Sequence, residues 1–254
     1  RSVEKKQKST QPPKLYDLTS LQRDGNRLMG YTAQQVLDYA QALYEKKLLT
    51  YPRTDSNYLT EDTAATVPGL VEVAVQSLPF SVEVGPPDVA RVVDGSKVSD
   101  HHALLPTMQV RSDTLAALPA GERNVLTLVI VRLLCAVGEK QVYEDTAAAL
   151  ECGGVSFSAR GRVVTVPGWK AIEQMFLSTL KQKTEKEEPE ARALPPLAEG
   201  QTFSGCKAAV REGATSPPKH FTEDLLLSAM EHASAEEFAE IEGVERTGLG
   251  TPAT

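Results

Sequence analysis

Cysteine is scarce and scattered. Cys135, Cys152 and Cys206 are the three in 254 residues, and no CxxC pair occurs. That spacing argues against a zinc ribbon or a disulfide framework, and an odd count suits a reducing cytoplasm. Long apolar runs are missing too, so no stretch is long enough to span a membrane as a helix. The first residues, Arg1-Ser2-Val3-Glu4-Lys5-Lys6, lack the apolar core of a signal peptide. Net positive charge is absent: 27 Lys and Arg face 34 Asp and Glu, a net charge of −7. Neither internal repeats nor coiled-coil heptads are found. The chain does not begin with Met, and it stops at Pro252-Ala253-Thr254, inside a glycine-led motif. Both ends look cut, so a fragment of a longer protein is expected.

What is present supports a folded chain. Apolar residues make up 41%, enough for a real core, and the length suits one large or two ordinary domains. Charge is uneven. Residues 1–53 hold ten Lys/Arg against five Asp/Glu, whereas residues 222–246 hold one Arg against eight acidic groups. A basic face near residue 50 can meet phosphates while the acidic end stays in solvent.

Local signals outline the elements. Residues 1–13 read as an extended arm, the end of a strand whose sheet partners are missing. Asp17 or Thr19 can cap a helix through Leu28. Thr32 with Gln35 forms a capping box, and Val36, Leu37, Ala40, Leu43 and Tyr44 give the following helix one apolar face. Lys46 and Lys47 suit its C-terminal end, and a strand bearing Tyr51 follows. Thr60 starts a helix that Pro68-Gly69 breaks and that resumes to Ser77. Residues 79–100 read as loop, and Pro119–Val137 as a buried helix. The period then changes: Ala147–Cys152 and Val155–Val166 predict a hairpin with one wet face. Residues 178–193 read as a loop, Thr202–Arg211 as another strand, and Thr222–Ala233 as a helix capped by Thr222.

The most informative run is LLTYPRTDSNYL, residues 48–59. Pro52 biases Tyr51 toward an extended backbone. In a strand, Tyr51, Arg53 and Asp55 share one face. A phenol can attack phosphorus, a guanidinium can grip non-bridging oxygens in a bidentate way, and a carboxylate can hold the guanidinium in place. A free phenol has a pKa near ~10, so it needs help, which Arg53 can supply by stabilising phenolate. The plain alternative is a buried tyrosine followed by a surface turn. His101 and His102 are adjacent, so on an extended chain they point to opposite faces and are poorly placed to share a metal.

Four further segments decide between these readings: PPKLYDLTSLQ (12–22), the helix before Tyr51, DHHALLPT (100–107) and GLGTPAT (248–254). With TYPRTDS they resemble type IA DNA topoisomerases, nearest the bacterial topoisomerase III branch, from about Pro12 to the last residue. PPKHFTE (217–223) is similar to that family's PPKRFTE, and DHHALLPT differs from its DHHAIIPT only by two leucines for isoleucines. The resemblance implies that Tyr51 is the nucleophile joined covalently to the 5′ phosphate of a cut single strand, with resealing that needs no ATP. It makes Arg53 and His101 catalytic. It places Asp55, His102, Thr107, Lys219, Gly250 and Thr251 along the DNA.

By the same resemblance the fold is α+β. The end of a hinge-domain strand (1–13) precedes a helical domain with the catalytic tyrosine (14–140). A small antiparallel β hinge domain (141–216) and the start of a third, helical domain (217–254) follow. The implied partners are single-stranded DNA and the rest of the same polypeptide, not a membrane, in a bacterial cytoplasm. The implied cofactor is Mg²⁺, held by an N-terminal Toprim domain that nothing in 1–50 resembles, so no metal ligand is assigned here. Such a chain alone is expected not to relax supercoils. Two other classes compete. A tyrosine relaxase-type nuclease needs two histidines flanking one residue, whereas His101 and His102 touch. A non-catalytic single-stranded DNA-binding module would tolerate loss of Tyr51, Arg53 and His101.

Overall fold

The computed structural model describes residues 2–180, 193–207, 209–210, 212–218 and 220–233. Its fold is α+β, a helical body joined to a three-stranded antiparallel sheet.

The helical body begins with α1 (Leu18–Met29) and α2 (Ala33–Glu45). Asp17 caps α1, accepting the Ser20 amide at 2.7 Å, and the expected Thr32–Gln35 box caps α2. The two helices touch at Gly25, where a Cβ would lie 2.6 Å from Val36 Cγ2. Lys46 ends α2 and pairs with Glu122 of the next long helix.

Short α3 (Glu61–Ala64) and then α4 (Val67–Ser77) follow. Pro68 and Gly69 start α4 rather than break the helix, because the first turn needs no amide from proline. The stretch expected as loop, 79–100, contains only two 3₁₀ turns. After α5 (Ser112–Ala117) comes α6 (Ala120–Ala136), buried on nearly all sides and the axis of the core. Cys135 lies in it at 3% exposure, a packing residue whose thiol burial pushes up to about 12.

The sheet is β1 (Ser2–Thr10), β2 (Gln141–Cys152) and β3 (Val155–Val166) in that order. This corrects the reading of residues 1–13 as a strand without partners: β1 pairs along its whole length with β2, Lys6 opposite Asp145. Gly153 and Gly154, at φ 58 and 80, close the β2–β3 hairpin as left-handed turn residues. The hairpin was expected to bury one face. It is instead open on both: Val155, Phe157, Val163 and Val164 are all exposed, and β2 buries only Tyr143 and Ala148.

A further helix, α7 (Trp169–Thr179), had no counterpart among the expected elements. It packs Trp169, Ile172 and Phe176 against the body. The strand expected at 202–211 is absent among the described residues of that stretch, where Gly205 at φ 73 turns the chain. The last described helix, α8 (Glu223–Glu231), has the Thr222 cap that was expected.

Candidate active site

The segment carrying Tyr51 is shaped from both ends. Lys47, at φ 61, turns the chain sharply out of α2, and Leu48 and Leu49 anchor it in the core. The chain then runs antiparallel to residues 105–107. The Thr50 amide donates to the Leu105 carbonyl at 3.0 Å, and the Leu105 amide donates to Thr50 Oγ1 at 2.9 Å. The Thr107 amide donates to the Leu48 carbonyl, and its hydroxyl donates to the Lys47 carbonyl at 2.6 Å. Thr107 thus closes the turn that delivers Tyr51.

Residues 51–58 are not a paired strand as expected. The Thr54 amide donates to the Pro52 carbonyl at 3.0 Å, a three-residue turn. Side chains nonetheless alternate: Pro52, Thr54 and Ser56 are buried, Tyr51 is half-buried, and Arg53 and Asp55 are exposed. Hydrogen bonds, not a sheet ladder, produce this alternation. Thr54 Oγ1 donates to the His101 carbonyl at 2.8 Å, and its carbonyl accepts the Leu18 amide at 3.0 Å. Ser56 Oγ donates to the Lys97 carbonyl at 2.8 Å, and Asn57 Nδ2 donates to Asp17 Oδ2 at 2.7 Å. The Ala103 amide donates to the Tyr58 carbonyl at 2.9 Å. Three distant segments, 15–18, 97 and 101–107, therefore hold the loop.

His101 is exposed, and its ring lies 4.4 Å from the Tyr51 ring, tilted by 43°. The Tyr44 ring also meets Tyr51, edge-on, with 5.4 Å between centroids and 82° between planes. His102 is half-buried. Its Nδ1 lies 2.7 Å from the Ala103 carbonyl; since a carbonyl only accepts, Nδ1 carries the proton and Nε2 is left to accept. Asp55 does not clasp Arg53, as had been expected: its Oδ1 accepts from Ser99 Oγ at 3.2 Å. Among the described residues Arg53 forms no ion pair, so its guanidinium is available to an incoming anion. Lys219, Gly250 and Thr251 lie outside the described residues.

Behind the site sits a polar network that the sequence did not reveal. The Tyr16 hydroxyl donates to Asp24 Oδ2 at 2.6 Å and accepts from Arg132 at 3.0 Å, while Arg132 and Arg27 both pair with Asp24. The Arg132 guanidinium also lies 4.0 Å from the Tyr16 ring centre. Burial raises the Tyr16 phenol far above its ordinary value, and Asp24 adds to that while Arg132 opposes it. Burial also works against the Asp24 carboxylate, but Arg132 and Arg27 outweigh it and hold its pKa below the usual range. The Tyr16 carbonyl accepts the Leu104 amide at 2.8 Å, so this network braces the segment that follows His101.

Comparison with known proteins assigns the chain to a family. A family model described as DNA topoisomerase matches residues 1–254. The chain belongs to the type IA DNA topoisomerases, on the topoisomerase III branch. It is 37% identical to DNA topoisomerase 3 of Bacillus subtilis over 264 residues, covering 99% of this chain and 35% of that protein. DNA topoisomerase 3 of Bacillus cereus is similar at 34% over 263 residues, with the same coverage. The chain thus spans about a third of the length of these relatives. Full-length topoisomerase I from Thermotoga maritima shares the fold, with a TM-score of 0.67 at 20% identity, over all of this chain and 38% of that one.

Among the described residues no group of three or more His, Cys, Asp or Glu side chains could hold a metal ion. No helix among them is long and apolar enough to cross a membrane.

Proposed function

We propose that this chain is the strand-cutting and hinge portion of a type IA topoisomerase acting on single-stranded DNA in the bacterial cytoplasm. Tyr51 Oη attacks a backbone phosphorus. The phenol gives up its proton and the Tyr51 O–P bond forms as the P–O3′ bond breaks, leaving a 5′-phosphotyrosine and a 3′ oxygen that takes up a proton. The reverse attack by the 3′ hydroxyl reseals the strand, and because one phosphoester replaces another, no ATP is consumed. Arg53 grips the non-bridging oxygens and stabilises the charge that develops there. His101, against the Tyr51 ring, donates a hydrogen bond or a proton at the reacting phosphate. Asp55, His102, Thr107, Lys219, Gly250 and Thr251 line the path of the strand.

The observation that carries this reading is the setting of Tyr51. It is half-buried, its hydroxyl has no hydrogen-bond partner among the described residues, its ring lies against His101, and Arg53, two residues on, is exposed. We assign residues 1–13 and 141–216 to the hinge, 14–140 to the helical domain that bears the nucleophile, and 217–254 to the start of a third domain. Mg²⁺ belongs to a Toprim domain elsewhere in the polypeptide. Strand passage follows when the helical domain lifts on the hinge. The test is plasmid relaxation. The complete polypeptide should relax supercoils and lose that activity with Tyr51→Phe, and this chain alone should not relax them. Robust turnover by Tyr51→Phe or by the chain alone would overturn the reading.

A further inference from the structure

Resting on that reading, we infer that Tyr44 is a positioning residue that sets the aim of the Tyr51 hydroxyl. The backbone at Tyr51 is fixed by the Thr50–Leu105 pair and by the Pro52–Thr54 turn. The side chain is not fixed by hydrogen bonding, since its hydroxyl has no such partner among the described residues. A tyrosine pinned only at its backbone can still rotate about χ1 between staggered positions. Two rings remove that freedom. His101 covers Tyr51 from one side at 4.4 Å, and Tyr44 meets it at 5.4 Å and 82°, the edge-to-face geometry that aromatic pairs favour.

Tyr44 is well built for this task. It sits in the last turn of α2, and its carbonyl accepts the Lys47 amide at 2.8 Å. The same turn that delivers Tyr51 therefore also fixes the base of Tyr44. Its ring is 41% exposed, more than packing of the core requires. An exposed ring held against a nucleophile, rather than against the interior, contributes to aim more than to fold stability. In-line attack tolerates little error in position, so holding Tyr51 in one rotamer raises the fraction of molecules ready to react.

The experiment uses the complete polypeptide and a single-stranded oligonucleotide in single-turnover cleavage, with binding measured in parallel. Tyr44→Ala should slow cleavage about two- to tenfold, the range a ring pair of this kind supports, with oligonucleotide affinity and melting temperature unchanged. Tyr44→Phe keeps the ring and should restore the rate, because the Tyr44 hydroxyl makes no hydrogen bond among the described residues. The inference is overturned if Tyr44→Ala cleaves at the parent rate, if Tyr44→Phe is as slow as Tyr44→Ala, or if the whole loss is in affinity. Persistent adducts in Tyr51→Phe would instead overturn the function itself, so the two failures are distinguishable.

Discussion

Tyr51 and Tyr16 have the same side chain and opposite surroundings. Tyr16 is buried, bonded to Asp24 and Arg132, and held neutral; Tyr51 is half-buried, and its hydroxyl has no hydrogen-bond partner among the described residues. Environment, not residue type, separates the structural phenol from the one proposed to react. At Arg53, Arg53→Ala should slow adduct formation about 10²-fold or more, and Arg53→Lys should recover only part, since an ammonium cannot grip two oxygens at once. Cleavage by Arg53→Ala at the parent rate would contradict its role. Asp24 makes a stability prediction. Its folded pKa is depressed, so its contribution is full above about pH 4, where an unfolded aspartate is ionised. The contribution fades as pH falls toward the lower folded value. Asp24→Ala leaves Arg132 and Arg27 without their partner and should cost about 3 kcal/mol in urea unfolding at pH 7. The variant should also lose less on acidification than the parent. Equal stability at pH 7 would show the network to be idle.

At the scale of elements, α8 is docked largely by polar contacts, with Leu227 and Met230 only half-buried. Arg23 reaches Asp224 at 2.9 Å and Glu231 at 3.2 Å, and Glu223 accepts the first amide of α2, on Ala33, at 2.6 Å. No residue of α8 is buried, and Leu225 and Leu226 stay exposed. Surface ion pairs contribute about 0–1 kcal/mol each and are screened by salt. Amide exchange in α8 should therefore accelerate in about 1 M salt while α6 stays protected; unchanged protection would mean the docking does not depend on charge.

Which elements could be foreseen follows from range. The Thr32–Gln35 cap, α6 and the glycine hairpin are written in neighbouring residues, so the sequence displays them. Pro68 was misread because a proline that breaks a helix interior is equally at home in a first turn. The outward set of Tyr51, Arg53 and Asp55 was visible as an alternation. Its cause was not: Thr54 to His101 and Ser56 to Lys97 join residues more than 40 apart. The same holds for Tyr16 with Arg132, and for the pairing of β1 with β2.

For the whole molecule, the sheet ties the first residues of the chain to the segment beyond α6. The Trp169 indole donates to the Thr10 carbonyl at 3.3 Å, where sheet and helical body meet. Residues 2–10 and 141–166 thus form one unit, joined to the helical body by the segments before α1, after α6 and before α7. The central claim is that Tyr51 Oη becomes bonded to the 5′ side of a break, and it is tested most directly by trapping the adduct. The complete polypeptide is denatured during reaction with a single-stranded oligonucleotide labelled at its 3′ end, then digested and its peptides sequenced. The account predicts that the label stays with the protein, on the peptide that contains Tyr51. Label on any other residue, or retention of a 5′-end label in its place, would contradict it.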